Sequence, residues 1–232
     1  QAVKALNRVD VFFLLDKGEG KQKLIDLRRE ICERYITDHA YRFVEASSPE
    51  RERGDVDYTA SVDALNRTKQ QTFERLIDEQ LSDGQCGGFL VWGDPALYDS
   101  TVRILQAIRA SGRCAFEYEV IPGITSVQAL AAQHKIPLNT IGRSVEITTG
   151  RQLAAGQVSE ADSVVVMLDA EDSYQRVADR QTEIFWGAYL GTPDEVLLSG
   201  TLADVADEIE RVRKAARAKH GWIMDTYLLR KP

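Results

Sequence analysis

Apolar and polar positions follow one another along this chain in blocks whose period changes. Residues 10–16 (DVFFLLD) form a short, nearly unbroken apolar run closed by Asp16-Lys17-Gly18, the pattern of a buried strand and a turn. Leu24, Leu27, Ile31 and Tyr35 then recur at helical spacing through residues 21–35. Residues 41–46 (YRFVEA) read as a second strand, 47–57 (SSPERERGDVD) as a polar, mobile loop and 58–81 as a long helix. The apolar run 88–92 predicts a third strand, ending at Gly93-Asp94-Pro95. A helix at 100–110, a strand at 115–121 and a helix at 126–134 complete this part.

Strands that alternate with helices, each strand nearly all apolar, predict a parallel sheet covered on both faces. Right-handed crossovers place the loops that follow the strands along one edge, where the ligand crevice of such sheets lies. The loops beginning at Asp16, Gly93 and Pro122 are therefore expected near one another. Residues 136–143 (IPLNTIGR), with Pro137 and Gly142, read as a link. The expectation is a two-domain α/β chain, divided into 1–136 and 137–232. Beyond the link the grain changes, with strands at 144–148, 163–168, 183–190, 195–199 and 222–229 around two or three helices. Gly191-Thr192-Pro193 joins two of these as a hairpin, which predicts a mixed sheet.

Composition narrows the function classes. Of 232 residues, 44% are apolar and 28% charged, an ordinary globular balance rather than a disordered one. The net charge of −7 argues against a duplex-DNA binder, which needs a basic face. No stretch reaches the roughly 18–20 uncharged apolar residues of a membrane helix, so no membrane partner is expected. Cys32, Cys86 and Cys114 are odd in number and far apart, and His39, His134 and His220 are equally scattered. That spacing predicts free thiols in a reducing cytoplasm and no metal site. The chain opens without Met, inside the amphipathic pattern Ala2, Val3, Ala5, Leu6. The expectation is that its natural beginning is missing and that no signal peptide opens it. Neither a dinucleotide fingerprint nor a Walker loop occurs.

Two segments carry chemistry. In residues 89–98 (FLVWGDPALY) a strand ends in Gly93, which admits close approach to the backbone. Pro95 holds Asp94 in an extended conformation. In residues 119–126 (EVIPGITS), Pro122-Gly123 forces a sharp turn, and Thr125 and Ser126 stand where a helix starts, as cap or as ligand donors. Each alone also suits an ordinary capped turn.

Together they resemble motifs of the tetrapyrrole methylases, and the order of elements is similar over essentially the whole chain. The likeness is sharpest at DVFFLLDKGEGK, LRREICERYI, FLVWGDPALYDSTVRIL, IFWGAYLGTPDEVLLSGTLADV and HGWIMDTYLLRKP. These segments look like the branch that methylates precorrin-5 at carbon 1 with loss of acetate. The resemblance implies S-adenosylmethionine as methyl donor, bound in a crevice between two α/β domains, a small-molecule tetrapyrrole substrate, no nucleic-acid partner and a homodimer. It implies that Trp92, Gly93, Asp94, Leu97, Thr125, Ser126, Met167, Leu168 and Gly191 line the cofactor. The family's opening strand and glycine-rich loop are absent, the chain starting in the helix that follows. Asp16, where related methylases carry an active-site aspartate, is the candidate base for the water that removes the acetyl group, with Glu45 the weaker alternative. Tyr189 and Lys17 are candidates for polarising its carbonyl. Arg42, Arg51 and Arg53, with Arg67 and Lys69 nearby, form a basic rim suited to the substrate's carboxylates. From the residues alone, Asp16 also reads as a strand-end turn, Met167 as core filler and the arginines as a solvated charge run. Methylation at another ring position, a non-catalytic nucleotide-binding role and an RNA methyltransferase are the rival readings.

Overall fold

A computed structural model describes residues 1–16, 22–47, 58–158 and 160–232. They form two compact units, Gln1–Gly123 and Ile124–Pro232.

The first unit runs α1 (Ala2–Leu6), β1 (Val11–Asp16), α2 (Gln22–Tyr35), β2 (Arg42–Ser47), α3 (Tyr58–Gln80), β3 (Gly87–Phe89) and α4 (Thr101–Ser111). The strands form a parallel sheet in the order β2-β1-β3, with Val11 opposite both Arg42 and Gly87. Period-two alternation sends successive β1 side chains to opposite faces. Phe12 packs with Leu6, Val9 and Cys32, on the α2 side. Val11 and Phe13 pack with Leu76 of α3, on the other. Phe73 of α3 stacks on Phe89 with ring centres 4.3 Å apart. Gly88 lets β3 pass this close, because a Cβ there would stand 2.9 Å from the Val9 side chain.

Two expectations are corrected here. The third strand stops at Phe89 rather than running to Trp92, because the chain turns out of the sheet towards Gly93. Residues 115–121 form no strand: among the described residues their backbone makes no ladder. Side chains tether the segment instead. Glu117 pairs with Arg109 (3.6 Å), Glu119 with Arg8, and Phe116 packs on Phe73, Ile104 and Ile108.

The second unit runs α5 (Ser126–His134), β4 (Val145–Thr149), α6 (Gly150–Ala154), β5 (Ser163–Met167), a 3-10 turn (Ser173–Arg176), β6 (Glu183–Ala188), β7 (Val196–Thr201), α7 (Leu202–His220) and β8 (Asp225–Arg230). Its sheet has the order β4-β5-β8-β6-β7. Strands β4 and β5 are parallel; β8 is antiparallel to both β5 and β6, and β7 to β6. The sheet is therefore mixed, as the pattern predicts, and Gly191–Pro193 lies in the expected hairpin. Leu202, Ala206, Ile209 and Arg213 form the buried stripe of α7, laid over Trp186 and Tyr227. Helix α5 belongs with this unit. Leu130 is buried beside Gly187, and His134 Nε2 lies 3.0 Å from the Trp186 carbonyl oxygen. The units consequently part after Gly123, not at 136/137, because α5 packs on β6 and β8.

Candidate functional site

In the first unit the chain leaves β1 towards β2 on one side and returns to β3 on the other. Helices α2 and α3 thus cover opposite faces, and the ends of β1 and β3 flank the switch point where such sheets bind ligands. Past β3, the Leu90 carbonyl accepts a hydrogen bond from Arg28 Nε (3.0 Å), and the Arg28 guanidinium lies 4.8 Å from the Trp92 ring centre. Gly93 follows in left-handed geometry, φ 66°.

Asp94 then braces two loops. Its Oδ1 accepts from the Ala96 amide and its Oδ2 from the Gly123 amide, both at 2.8 Å. So the loops expected to meet, at Gly93 and after Pro122, do meet. The fit leaves no room for a side chain, since a Cβ on Gly123 would overlap the Gly93 carbonyl oxygen. The hydrogen bonds from Gly123 and then Ala96 hold the Asp94 carboxyl below its ordinary range. A carboxyl lowered on folding supports the native contact above its unfolded pKa, about 3.9, and loses that support as pH falls through the lower folded value. In an NMR titration the Gly123 amide resonance is therefore expected to stay flat down to about pH 4 and to move below it. A midpoint at or above the ordinary aspartate value would contradict this brace.

In the second unit β4, β5 and β6 all end at one edge, because β5 and β6 are each antiparallel to β8. Met167 closes β5. Leu168 follows at φ 54°, a strained geometry for leucine, with 65% of its surface exposed. Behind it Asp169 is buried and fully bonded, accepting from Ser173 N (2.7 Å), Ser173 Oγ (2.8 Å), Glu171 N (3.0 Å) and Tyr227 OH (2.7 Å). Arg213 donates to Asp225 and Asp172, both at 2.9 Å, and to the Asp169 carbonyl. Burial lowers the Arg213 pKa, but the charge of Asp225, followed by those of Asp172 and Asp169, more than offsets it. Burial, then Asp169, pushes the Tyr227 hydroxyl up, so it remains a donor. Gly191, φ 76°, turns the β6–β7 hairpin, with its amide held by Glu195 (2.7 Å).

The remaining candidates are placed as follows. Thr125 is spent as the cap of α5: its hydroxyl accepts from Val127 N (3.1 Å) and completes a capping box with Gln128. Ser126 is the first residue of that helix. The Leu97 amide donates to the Asp94 carbonyl (3.2 Å). Asp16 ends β1 opposite Ser47, and nothing further of its side chain is described. Lys17, Arg51 and Arg53 lie outside the described residues. Arg42 stands apart from the crevice: it opens β2 at the amino edge of the sheet and donates to the Gln80 carbonyl (2.6 Å). Glu45 is paired with Arg29, and the Tyr189 hydroxyl donates to the Trp222 carbonyl (2.5 Å). Among the described residues no three His, Cys, Asp or Glu gather as a metal site. Burial and then Glu33 push the Cys32 thiol to about 11, an inert state.

Sequence reading missed Asp169, Arg213 and Arg28. A signal existed for the first two: Asp169 follows an apolar strand as Asp16 does, and Arg213 interrupts an apolar helical stripe, which requires buried partners.

A parallel sheet with a Gly-Asp-Pro loop at its switch point, followed by a mixed sheet with a half-buried Met167 and an exposed Leu168 at the end of β5, defines a class. The profile of the tetrapyrrole (corrin/porphyrin) methylases matches residues 1–206, and the chain belongs to that family. It is 52% identical over 231 residues to a precorrin-6A synthase [deacetylating] of Sinorhizobium sp, covering 100% of this chain and 88% of that one. A crystal structure of a cobalamin-synthesis-related protein (CobF) from Corynebacterium diphtheriae superposes with a TM-score of 0.81 at 35% identity, covering 99% of this chain and 90% of that one. Uroporphyrin-III C-methyltransferase from Thermus thermophilus, solved with S-adenosylhomocysteine, shares the fold at a TM-score of 0.60 and 17% identity, covering 99% and 89%. The chain is an S-adenosylmethionine-dependent methyltransferase.

Proposed function

We propose that this methyltransferase acts in cobalamin biosynthesis, methylating precorrin-5 at carbon 1 and releasing the acetyl group there as acetate, to give precorrin-6A. The observation that carries this reading is the end-to-end likeness to a precorrin-6A synthase, with both loop motifs intact. The reaction balances: precorrin-5, S-adenosylmethionine and water become precorrin-6A, S-adenosylhomocysteine and acetate. Bound S-adenosylmethionine supplies the electrophilic methyl group.

The residues present fit such a ligand. In the first unit Trp92 offers exposed apolar surface beside Gly93, and in the second, taken by itself, Leu168 is exposed and Gly191 leaves its backbone uncovered, features suited to an adenine and its ribose. The residues proposed to line the cofactor are Trp92, Gly93, Asp94, Leu97, Thr125, Ser126, Met167, Leu168 and Gly191. Asp94 acts by locking two loops together, so its part is positioning. Asp16, at the end of β1, activates the water that attacks the acetyl carbonyl, and Arg51 and Arg53 receive substrate carboxylates. On this reading the protein is a cytoplasmic homodimer whose sole partner is the tetrapyrrole. No helix among the described residues is long and apolar enough to cross a membrane.

One incubation with precorrin-5 and S-adenosylmethionine tests the assignment, following macrocycle mass and free acetate together. One acetate per methyl transferred is expected. Methyl gain without acetate moves the enzyme to another ring position, and no transfer despite cofactor binding removes the catalytic reading. Asp16→Asn is expected to slow turnover about a hundredfold or more with S-adenosylhomocysteine affinity kept. An unchanged rate discards Asp16 as base. Joint Arg51→Ala and Arg53→Ala changes raise the Michaelis constant for the tetrapyrrole, and an unaltered constant removes them from its site.

A further inference from the structure

At the carboxyl edge of the first sheet, cations from opposite faces converge. Arg28 comes from α2 and Lys69 from α3, and both feel the charge of Asp99. The other two arginines of α2 are paired, Arg29 with Glu45 and Arg34 with Glu30. Arg28 and Lys69 are half-buried, yet among the described residues neither has a carboxylate within 4.0 Å. Asp99, whose Oδ1 accepts from the Thr101 amide (2.7 Å) at the start of α4, offsets their charge in part, and it forms no ion pair with either within 4.0 Å. A half-buried cation without an ion partner is costly, and among the described residues Asp99 is the carboxylate whose charge both of these cations feel.

The Arg28 guanidinium is fixed by its own contacts. Arg28 spends Nε on the Leu90 carbonyl (3.0 Å) and one Nη1 hydrogen on the Leu24 carbonyl (3.1 Å). Those bonds, with Trp92 beneath the guanidinium, hold it in place and leave Nη2 with no hydrogen bond to any described residue. Lys69 Nζ makes one long contact, 3.5 Å, to Ser100 Oγ. Both side chains thus abut the segment that runs from β3 to α4, Arg28 at Leu90 and Trp92 and Lys69 at Ser100.

We propose that Arg28 and Lys69 form a carboxylate-binding site, the guanidinium fork and the ammonium taking one carboxylate of a ligand seated in the crevice. This rests on the proposed function, which offers two sources of that group: an acid side chain of the tetrapyrrole or the amino-acid end of the cofactor. Burial, opposed by Asp99, lowers both pKa values from their ordinary range, the signature of cations short of a partner. Arg28 is absent from the basic rim that the sequence suggests, because spacing alone does not show which arginine of LRREICERY turns towards the sheet edge.

The test compares Arg28→Gln, Lys69→Gln and Lys69→Arg with the parent. S-adenosylhomocysteine and 5′-methylthioadenosine, which lacks the amino-acid end, are titrated calorimetrically, and the Michaelis constant for the tetrapyrrole is measured. A charge-assisted carboxylate contact predicts a rise of about tenfold or more in one constant, reversed in large part by Lys69→Arg. Weaker S-adenosylhomocysteine binding with methylthioadenosine unchanged assigns the carboxylate to the cofactor. A higher Michaelis constant with both nucleosides unchanged assigns it to the tetrapyrrole. Equal losses for both nucleosides, or no change beyond about twofold in any constant, overturn the site. The unaltered protein gives a reading free of folding effects: bound ligand is expected to slow reductive methylation of Lys69, and equal rates with and without both ligands overturn the proposal. Should the first incubation release no acetate while these constants move, the assigned reaction falls and the carboxylate site stands.

Discussion

Gly123→Ala is expected to lower kcat/KM for methyl transfer about a hundredfold or more, with little change in global stability. The effect is steric and local. A methyl group at position 123 falls inside the Gly93 carbonyl oxygen, 3.1 Å from the Gly93 carbonyl carbon and 3.7 Å from the Asp94 Cα. All three are backbone atoms, so no rotamer change relieves the overlap. The loops must separate, and separation breaks the hydrogen bond from the Gly123 amide to Asp94 Oδ2. Displacing a loop of a binding crevice by about 1 Å is enough to cost two orders of magnitude in rate. The segment is exposed and outside every core cluster, so the melting temperature is expected to stay within a few degrees of the parent's. Gly84→Ala is the control: it is also strained, φ 83°, but has open space around the added carbon. A Gly123→Ala protein within about threefold of parent activity would show that the contact between the loops is dispensable.

That the two loops meet was legible from chain order alone. Apolar strands in β-α-β order put the Gly-Asp-Pro loop after β3 on the carboxyl edge of the sheet, and Pro-Gly reaches it too, although the strand expected before Pro122 does not form. What spacing could not supply was the length of pairing. Residues 115–121 have strand-like alternation, but the glutamates on that alternation find Arg8 and Arg109, and the segment is anchored by side chains instead of a ladder. The position of the division failed for a related reason. Pro137 and Gly142 are sound breakers, yet α5 lies before them and packs on β6 and β8, contacts made by residues some 50 positions away. The arginines show the same limit. Arg42, Arg51 and Arg53 are close in sequence to one polar loop, but parallel pairing places Arg42 at the amino edge, away from the crevice. Arg28 reaches the crevice from the middle of a helix.

Arg213→Met is expected to destabilise the second unit by about 3–5 kcal/mol, the largest stability effect of any single change considered. The guanidinium is 6% exposed and joins three acidic positions that follow three different elements: Asp225 at the start of β8, Asp172 before the 3-10 turn and the Asp169 carbonyl after β5. Methionine fills the volume but leaves Asp225, itself 6% exposed, with the Trp186 indole as its one remaining donor among the described residues (3.0 Å). Burial already pushes the Asp225 carboxyl above its ordinary range, and Arg213 is the chief influence holding it down. Without that charge the carboxyl rises further. A carboxyl whose folded pKa exceeds its unfolded value binds more protons when folded, so stability falls as pH rises between the two values. The variant's deficit is therefore expected to be greatest near pH 7 and to shrink towards about pH 5, as Asp225 takes up a proton. Adding Asp225→Asn should return part of the loss at pH 7, because the buried charge is gone while an acceptor for Trp186 remains. Denaturant unfolding of the full chain at both pH values reads all three effects. A deficit below about 1 kcal/mol, or one that is the same at both pH values, would mean that α7 holds the sheet through its apolar stripe and that the buried charges are incidental to it.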